Sequence, residues 1–403
     1  MPEIILSFED ARRAVEHEAA KIHVGAQVLL RAPLLESANR ILAEDILADR
    51  DLPPFARSTR DGYAVRSTDG ATRLRIIGEI RAGISGKLPE VKTGECAAIM
   101  TGAPLPPGAN AVIMIEHTTL EGNTASLHRS VGTGENLVPQ GAEAKKGDVL
   151  LRKRSRLTPA ALAVAASAGK SELKVFAKPR IAILSTGDEL VEVSHQPAPT
   201  QIRNSNSHSL AAQIAAAGGE PVILPIAPDE TKRLRHLIEE GLNSDLLLLS
   251  GGVSMGKHDL VEPVLKELQA DFFFTGARIQ PGKPVVFGKA REKYFFGLPG
   301  NPVSTLVTFQ LFAQPLVEAL SCANPQPLRF LQAMLKSDIT VKPGLTRFLP
   351  ATLSGELDRT EVEPVKWQGS GDVVSAAKAD CYIAISEATS GLPKGCNVNV
   401  LLV

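Results

Sequence analysis

Between residues 179 and 321 the chain alternates short apolar runs with amphipathic stretches, and no other feature of the sequence limits the possible folds as strongly. The apolar runs predict four strands, namely RIAILST, PVILPIA, DLLLLSG and KYFFGLP. Helices are predicted between and after them, near 207–217, 230–242, 260–268 and 303–320. Strands that alternate with helices form a largely parallel sheet with helices on both faces. This segment is therefore predicted to be a three-layer α/β domain.

The residues before this segment show two other patterns. Ser7 and Asp10 resemble a capping box, with Asp in place of Glu, and predict a helix that reaches Ala20. A second helix is predicted near 37–47. From 51 to 146, runs such as LRIIGEI, AAIM and AVIMIE alternate with Pro/Gly turns, which is typical of a small β domain. LTPAALAVAASAG then predicts helix again, so the β domain is interpreted as an insertion into an elongated helical and β N-terminal part.

The C-terminal part and the overall composition complete the fold prediction. After CANPQP the strand signals RFLPATL, CYIAI and NVNVLLV predict a small C-terminal β domain. At 403 residues the chain exceeds what one hydrophobic core usually holds, so a multidomain α/β protein of two to four domains is expected. Cys96, Cys322, Cys381 and Cys396 show no CxxC spacing, which favours buried free thiols over a metal site or disulfides.

Charge and hydropathy limit the kinds of partner. Lys+Arg and Asp+Glu number 44 each, so no broad basic field is available for a nucleic acid or an acidic membrane. From the sequence, no apolar stretch is expected to approach the roughly 20 residues of a membrane helix. We expect a cytoplasmic protein with a small-molecule ligand, no nucleic-acid partner and no membrane partner.

Polar loops follow each predicted strand of the α/β segment. In parallel sheets, ligands collect beyond the carboxyl ends of the strands. The loops STGDEL, APDE, SGGVSMGKHD and LPGNPVS would bring Glu189, Asp229 and Asp259 to one rim beside glycine amides. Asn301 and Ser304 bracket a helix start, where free N–H groups favour an anion. Carboxylates beside such amides indicate a phosphate ligand bridged by magnesium.

Plainer interpretations exist for each of these loops. Asp229 or Asp259 could be a helix cap, and Asp188, Glu189 and LPGNP could be turn chemistry alone. The spacing Gly251-x4-Gly256-Lys257 is close to a phosphate-binding P-loop, but His258 stands where the magnesium-binding hydroxyl must be. A generic nucleotide kinase is therefore the weakest interpretation. The convergence of polar loops at consecutive strand ends favours a functional site over independent caps and turns.

Seven segments together resemble one family, the molybdopterin molybdotransferases or MoeA-type molybdenum insertases, to which the C-terminal domain of gephyrin also belongs. They are STRDGYAVR, IMTGAPLPPGANAVIMIE, LSTGDEL, RNSNS, LLLSGGVSMGKHD, QPGKPVVFG and GLPGNPVS. The resemblance runs from about residue 7 to the C-terminus. It implies a homodimer whose protomers have a discontinuous N-terminal domain (1–48 and 147–178), an inserted β domain (49–146), a molybdopterin-binding α/β domain (179–323) and a C-terminal β domain (324–403).

The resemblance also implies an activity and a set of site residues. The implied reaction takes adenylylated molybdopterin and molybdate, inserts molybdenum at the dithiolene sulfurs and releases AMP with Mg²⁺. Glu189, Asp229 and Asp259 would bind Mg²⁺ and the pterin phosphate. Molybdate would contact Lys283, Ser254, Ser304, Arg347 and Ser370, and the active cleft would receive Asp61, Thr101 and Glu143, the first two from across the dimer interface. The other implied cofactor-binding residues are Ser185, Thr186, Gly187, Ser250, Gly251, Gly252, Gly256, Pro299, Gly300, Asn301 and Pro302.

Two positions depart from the family pattern. Gln280 stands where many relatives have lysine, so one cationic contact to molybdate is either missing or supplied by Arg278. Glu143 stands where relatives often have aspartate, and either Glu143 or Asp61 could accept a proton or orient water.

Two other function classes stay open at the level of sequence. A molybdopterin adenylyltransferase would share the α/β domain, but it is usually that domain alone. A non-catalytic molybdopterin-binding scaffold is the second, and the presence of all three carboxylates favours catalysis over it. Besides a second copy of the chain, a transient complex with the adenylyltransferase is an expected partner.

Overall fold

The N-terminal part contains one long helix and several short strands. The computed structural model describes residues 3–22, 28–252, 260–356 and 359–403. The first elements are β1 (Ile5–Leu6), α1 (Phe8–Ala20), β2 (Leu29–Pro33), a 3₁₀ turn (Leu35–Ser37) and β3 (Ile46–Leu47). The capping prediction is confirmed, because the Asp10 N–H donates to the Ser7 hydroxyl at 3.0 Å at the start of α1.

The helix predicted near 37–47 is wrong. The backbone turns at Asn39, whose φ of 61° ends any helical run. The following residues pair with distant segments instead, with Ile41 opposite Arg156 and Leu42 opposite Val175. Buried long-range pairing has therefore overridden the local helical pattern.

The inserted segment forms a six-stranded sheet, as the strand signals predicted. Its elements are β4 (Arg57–Ser58), β5 (Gly62–Val65), β6 (Arg73–Ile80), β7 (Glu95–Ile99), β8 (Ala111–Met114), a 3₁₀ turn (Ile115–His117), β9 (Thr118–Glu121), β10 (Thr124–Leu127) and β11 (Leu137–Val138). The strand order is β8-β5-β7-β6-β10-β9, while β4 and β11 form a separate pair. Side chains alternate along β5, so Tyr63 and Ala64 lie in two separate cores.

The chain then returns to the N-terminal part through β12 (Val149–Leu151), α2 (Pro159–Ser167) and β13 (Glu172–Phe176). β12 pairs with β3, and β13 pairs with β2 along its whole length. The helix predicted from LTPAALAVAASAG is confirmed as α2, capped by Thr158. The segments before and after the six-stranded sheet in the sequence thus pair with each other, which is the arrangement expected of an insertion.

The α/β segment has the predicted sheet. Its elements are β14 (Arg180–Ser185), β15 (Leu190–Val191), β16 (Ile202–Arg203), α3 (Asn206–Ala217), β17 (Glu220–Ile223), α4 (Thr231–Gly241), β18 (Leu246–Ser250), α5 (Val261–Glu267), β19 (Asp271–Phe274), β20 (Gly276–Ala277), β21 (Ile279–Gln280), β22 (Val286–Ala290), β23 (Lys293–Leu298), α6 (Pro302–Thr308), a π-helical turn (Phe309–Ala313) and α7 (Gln314–Leu320). In the order β17-β14-β18-β23-β22-β19, the strands from β17 to β23 are parallel, and β22 is antiparallel to both of its neighbours, β23 and β19.

The C-terminal segment is a small β domain, as predicted. Its elements are β24 (Phe330–Leu335), β25 (Ile339–Thr340), β26 (Thr346–Glu356), β27 (Arg359–Pro364), α8 (Val373–Ala376), β28 (Cys381–Ile385), β29 (Gly391–Leu392) and β30 (Asn397–Leu402). β28 pairs with β30 and also with β26, so five strands close into a barrel. β21 of the preceding domain adds to the edge of β26.

Helix α1 joins the α/β and C-terminal domains in one core. The ring of Phe8 contacts Phe348 of β26 at 5.2 Å between centroids and Phe312 at 6.2 Å. Beside them, Arg12 donates to the Leu311 carbonyl at 2.6 Å within the π-helical turn. The relative placement of these domains therefore depends on apolar burial around α1.

The apolar segment Pro302–Leu320 is longer than the sequence analysis expected of any apolar stretch. It has 19 residues and a mean hydropathy of 1.3, so it approaches the length and composition of a membrane span, contrary to the prediction. However, 67% of it is buried inside the protein, as is usual for a helix that covers a sheet. The cysteines follow the prediction: all four are free, and Cys96, Cys322 and Cys381 are buried.

Candidate active site

The loops that follow the parallel strands meet in one open cleft of about 610 Å³. Loops after β14, β17, β18 and β23 all contribute to it, as the strand-end argument predicted. Among the predicted site residues, those lining the cleft are Thr186, Gly187, Glu189, Asp229, Ser250, Gly251, Gly252, Pro299, Gly300, Asn301 and Pro302. The sequence therefore located the cleft, although the role of each residue stays a prediction.

Two glycines let the loops after β14 and β18 come into contact. Gly251 and Gly252 have φ of 89° and 62°, a region that favours glycine. A Cβ on Gly251 would lie 2.8 Å from the Thr186 carbonyl oxygen, and one on Gly252 would lie 2.7 Å from the Thr186 hydroxyl. Any other residue here would push the loops apart, so these glycines are required for the shape of the cleft.

Two carboxylates lie in this cleft. Glu189 and Asp229 are both exposed, and the Glu189 carboxylate folds back to within 2.4 Å of where a Cβ on Gly187 would be. The Asp229 N–H donates to the Asp188 carboxylate at 3.0 Å, which fixes the loop after β17. The helix-cap interpretation of Asp229 is wrong, since the N-cap of α4 is Glu230 and has no side-chain capping bond. Asp229 is thus left available to a ligand.

Oxygen donors of this kind suit a hard cation. Mg²⁺ prefers carboxylate oxygens and keeps several waters, so two carboxylates beside a cleft are a fitting donor set. Within the described ranges, no group of three or more His, Cys, Asp or Glu side chains could enclose a metal ion. The third predicted ligand, Asp259, lies outside the described residues, as do Ser254 and Gly256.

Two asparagines of the cleft were not assigned from the sequence. Asn206, at the start of α3, donates from its amide nitrogen to the Ser250 hydroxyl at 2.9 Å and to the Gly300 carbonyl at 2.7 Å. It therefore ties the loops after β18 and β23 together. Asn204 is buried and lines the cleft, and its Oδ1 accepts from the Ser185 hydroxyl at 3.1 Å. Ser185 therefore supports a lining residue and does not line the cleft itself. The motif RNSNS directly before a helix was the available signal.

Three of the residues predicted to contact molybdate are neighbours of residues that line the cleft. Asn301 donates to the Ser370 hydroxyl at 2.9 Å, which brings the C-terminal domain to the rim. Lys283 is exposed next to Pro284, which lines the cleft, whereas Ser304 is buried in the first turn of α6. The cleft wall is thus shared between two domains.

Arg347 is held by the residue that departs from the family pattern. Its Nε donates to Gln280 Oε1 at 2.9 Å, and its Nη1 donates to the Leu345 carbonyl at 3.2 Å. Arg347 is buried and lies directly opposite Gln280 where β21 pairs with β26. A lysine at position 280 could not accept this hydrogen bond, so the glutamine fixes the guanidinium in a way that lysine would not.

The three predicted residues of the inserted domain lie apart from this cleft. Asp61 accepts hydrogen bonds from the Thr101 N–H at 2.7 Å and the Thr101 hydroxyl at 3.0 Å. Glu143 pairs with Arg57 at 3.2 Å on the surface. None of the three lines the cleft within one chain.

The Thr101→Val variant is predicted to raise the pKa of Asp61. The Thr101 backbone N–H, and then its hydroxyl, hold the pKa of Asp61 below its ordinary value of about 3.9. A carboxyl pKa that is lowered in the folded protein stabilises the fold at pH values above the ordinary pKa. This contribution is lost as the pH falls through the lowered pKa. Because Thr101→Val removes only the hydroxyl and keeps the N–H, the pKa of Asp61 should rise part of the way toward its ordinary value. Carboxyl carbon NMR titration measures it.

The control for this experiment is Thr118→Val. The Thr118 hydroxyl donates to the Ile115 carbonyl rather than to a carboxylate, so its loss should leave the Asp61 pKa unchanged. An unchanged pKa in Thr101→Val itself would show that the hydroxyl does not bind the carboxylate in solution.

Three family models match the chain: "MoeA N-terminal region (domain I and II)" over 6–169, "Probable molybdopterin binding domain" over 182–319 and "MoeA C-terminal region (domain IV)" over 332–403. The chain belongs to the MoeA family.

MoeA-family relatives match along nearly the whole chain. The molybdopterin molybdenumtransferase of Bacillus subtilis is 36% identical, over 92% of this chain and 89% of its own length. The enzyme of the same name from Staphylococcus aureus is 34% identical, over 92% of this chain and 90% of its own.

Solved MoeA structures share the complete multidomain fold. A molybdopterin biosynthesis MoeA protein from Pyrococcus horikoshii OT3 superposes with a TM-score of 0.80 at 30% identity, covering 99% of this chain and 100% of that chain. A second structure from the same species has a TM-score of 0.72 at 33% identity, covering 99% of each chain. The resemblance read from the seven sequence segments, and the fold it implied, are confirmed.

Proposed function

We propose that this protein, a transferase of molybdenum cofactor biosynthesis, inserts molybdate into adenylylated molybdopterin and releases AMP in a magnesium-dependent step. The observation that carries the proposal is the cleft in which Glu189 and Asp229 lie beside the glycine loops. Exposed carboxylates next to closely packed loop backbone suit a metal-bridged phosphate. Family membership supplies the reaction, and the cleft supplies residues suited to it.

Different residues would bind Mg²⁺, the pterin phosphate and molybdate. Glu189 and Asp229, together with Asp259, would hold Mg²⁺. When bound, the ion would neutralise charge on the phosphoanhydride as AMP leaves. The loops after β18 and β23, tied by Asn206, would position the pterin phosphate. Lys283 and Arg347 would orient molybdate for attack by the dithiolene sulfurs, so no protein nucleophile is needed.

The direct test measures AMP release from adenylylated molybdopterin, with each ion omitted in turn. Release that requires both molybdate and Mg²⁺ supports the insertase. Release of AMP without molybdate would contradict insertion. Tight molybdopterin binding with no release would favour the scaffold alternative, and formation of adenylylated molybdopterin from ATP would favour the adenylyltransferase.

We further propose that the working unit is a homodimer whose cleft is completed by Asp61 and Thr101 of the second copy. Support comes from their position away from the cleft of their own chain. The N-terminal part also exposes large apolar side chains, which are Val28, Leu29, Leu30, Leu35, Leu47 and Val149. Exposed apolar surface of this kind marks protein contacts, and the proposed four-domain division places it in the N-terminal domain.

Mixing two inactive variants tests the shared site. Asp61→Asn and Asp229→Asn chains, unfolded together and refolded, should form mixed dimers in which one of the two sites is intact. Random pairing would restore about one quarter of the sites. Each variant refolded alone is the control. If the site were complete within one chain, every site in the mixture would carry one defect and no activity would return.

Location and a further partner belong to the same proposal. The four free cysteines suit the reducing cytoplasm, where we place the protein. Its substrate must come from an adenylylating enzyme, so we propose a transient complex with the molybdopterin adenylyltransferase.

A further inference from the structure

A cationic side chain that the proposed mechanism does not use lines the same cleft. Arg203 ends the short strand β16, which pairs in parallel with β15, and Val191 is its direct partner. β15 begins immediately after Glu189, and the Ile202 N–H donates to the Glu189 carbonyl at 2.8 Å. The backbone therefore places Arg203 at the carboxylate end of the cleft.

The charges that line the cleft indicate what Arg203 could bind. Among the described residues that line the cleft, Glu189 and Asp229 are the acids and Arg203 is the single Lys or Arg. In the described part of the chain, the side-chain hydrogen bonds of Arg203 go to a carbonyl and an amide oxygen rather than to a carboxylate. A cleft whose lining is acidic repels an anionic ligand unless cations offset that charge. Arg203 can supply part of the offset.

The guanidinium of Arg203 is oriented but not saturated. Its Nε donates to the Val193 carbonyl at 3.0 Å, and its Nη2 donates to Gln196 Oε1 at 3.3 Å. An arginine carries five N–H donors in a planar fork. Donors thus stay available after both bonds are made, and the two anchors reduce the side-chain entropy that a ligand must overcome.

We propose that Arg203 binds a phosphate group of the ligand in this cleft. The planar fork of arginine matches two phosphate oxygens, which a lysine contacts only as a point charge. This inference rests on the proposed function, whose substrate carries phosphate on both its pterin and its adenylate halves. It adds a binding residue at the end of β16, where Arg203 lines the cleft.

Arg203 could instead serve only to anchor the 192–201 loop through Val193 and Gln196. The two roles predict different results in Gln196→Ala, which removes one anchor and keeps the charge. They also differ for adenosine, which lacks the phosphate of AMP. If Arg203 only anchors the loop, its substitution should weaken the binding of AMP and the binding of adenosine equally.

The experiment measures binding to the full chain by calorimetry with Mg²⁺ present. The ligands are AMP, adenosine and molybdopterin, and the proteins are the unmodified chain, Arg203→Gln, Arg203→Lys and Gln196→Ala. Loss of one charged hydrogen-bond donor should weaken phosphate binding about tenfold or more in Arg203→Gln. Adenosine binding should not change, and Arg203→Lys should recover part of the affinity. Gln196→Ala, which keeps the charge and the Val193 anchor, should lose much less affinity than Arg203→Gln.

The ligand whose binding weakens in Arg203→Gln shows which phosphate group Arg203 contacts. A loss for AMP alone assigns Arg203 to the adenylate phosphate, a loss for molybdopterin alone assigns it to the pterin phosphate, and either supports the inference. Unchanged binding of both, or an equal loss for AMP and adenosine, overturns the inference and leaves the proposed function standing. If the unmodified chain binds neither AMP nor molybdopterin, the proposed function fails, and the inference fails with it.

Discussion

The Asp229→Asn variant is expected to release AMP at least about 100-fold more slowly than the unmodified protein. Asparagine keeps the size of the side chain but removes the charge that would hold Mg²⁺ against the phosphoanhydride. The loop itself should be preserved, because its bond to Asp188 is made by the Asp229 backbone N–H and not by the side chain. The measurement is single-turnover AMP release over a range of Mg²⁺ concentrations.

Glu230→Gln is the matched control for Asp229→Asn. It makes the same change of charge one residue further along, at an exposed position whose side chain makes no capping bond and does not line the cleft. Its rate should stay close to that of the unmodified protein. Equal losses in the two variants would indicate a general charge effect and would remove Asp229 from the metal site.

The Phe348→Ala variant is expected to lower the free energy of unfolding by about 3–5 kcal/mol. Phe348 is fully buried on β26, and its ring packs edge-on against Phe8 of α1. Truncation would leave a cavity where α1 joins the α/β and C-terminal domains. Urea titration followed by circular dichroism measures the loss.

The control for this variant is Phe330→Ala, on β24 of the same domain. Phe330 is 45% exposed, so its truncation removes less buried surface and should have a much smaller effect. If the two variants lost the same stability, the core around α1 would not be what joins the domains.

Much of the α/β domain could be predicted because its strands are fully apolar and separated by helical periods. Runs such as RIAILST and DLLLLSG carry their signal within a few residues, and parallel topology then fixes where their following loops meet. Glu189 and Asp229 were therefore placed in one cleft from sequence alone, and the structure brings them there.

Features that depend on long-range contacts could not be predicted in this way. The 37–47 segment has a helical pattern, but its buried residues Ile41 and Leu42 pair with residues more than a hundred positions away. Arg203 and Asn206 look like turn residues in RNSNS until the β15–β16 pair and α3 place them on the cleft wall. The proposed completion of the cleft by Asp61 and Thr101 of a second copy has no local signal, because nothing in the sequence around these residues shows which chain's cleft they approach.

The most direct test of the proposed insertase activity is the ratio of molybdenum incorporated to AMP released. Purified protein is given adenylylated molybdopterin, molybdate and Mg²⁺, and metal bound to the pterin is quantified by mass spectrometry alongside AMP. We predict one molybdenum inserted for each AMP released, with both products lost in Asp229→Asn and kept in Glu230→Gln. AMP release without molybdenum in the pterin would contradict the account.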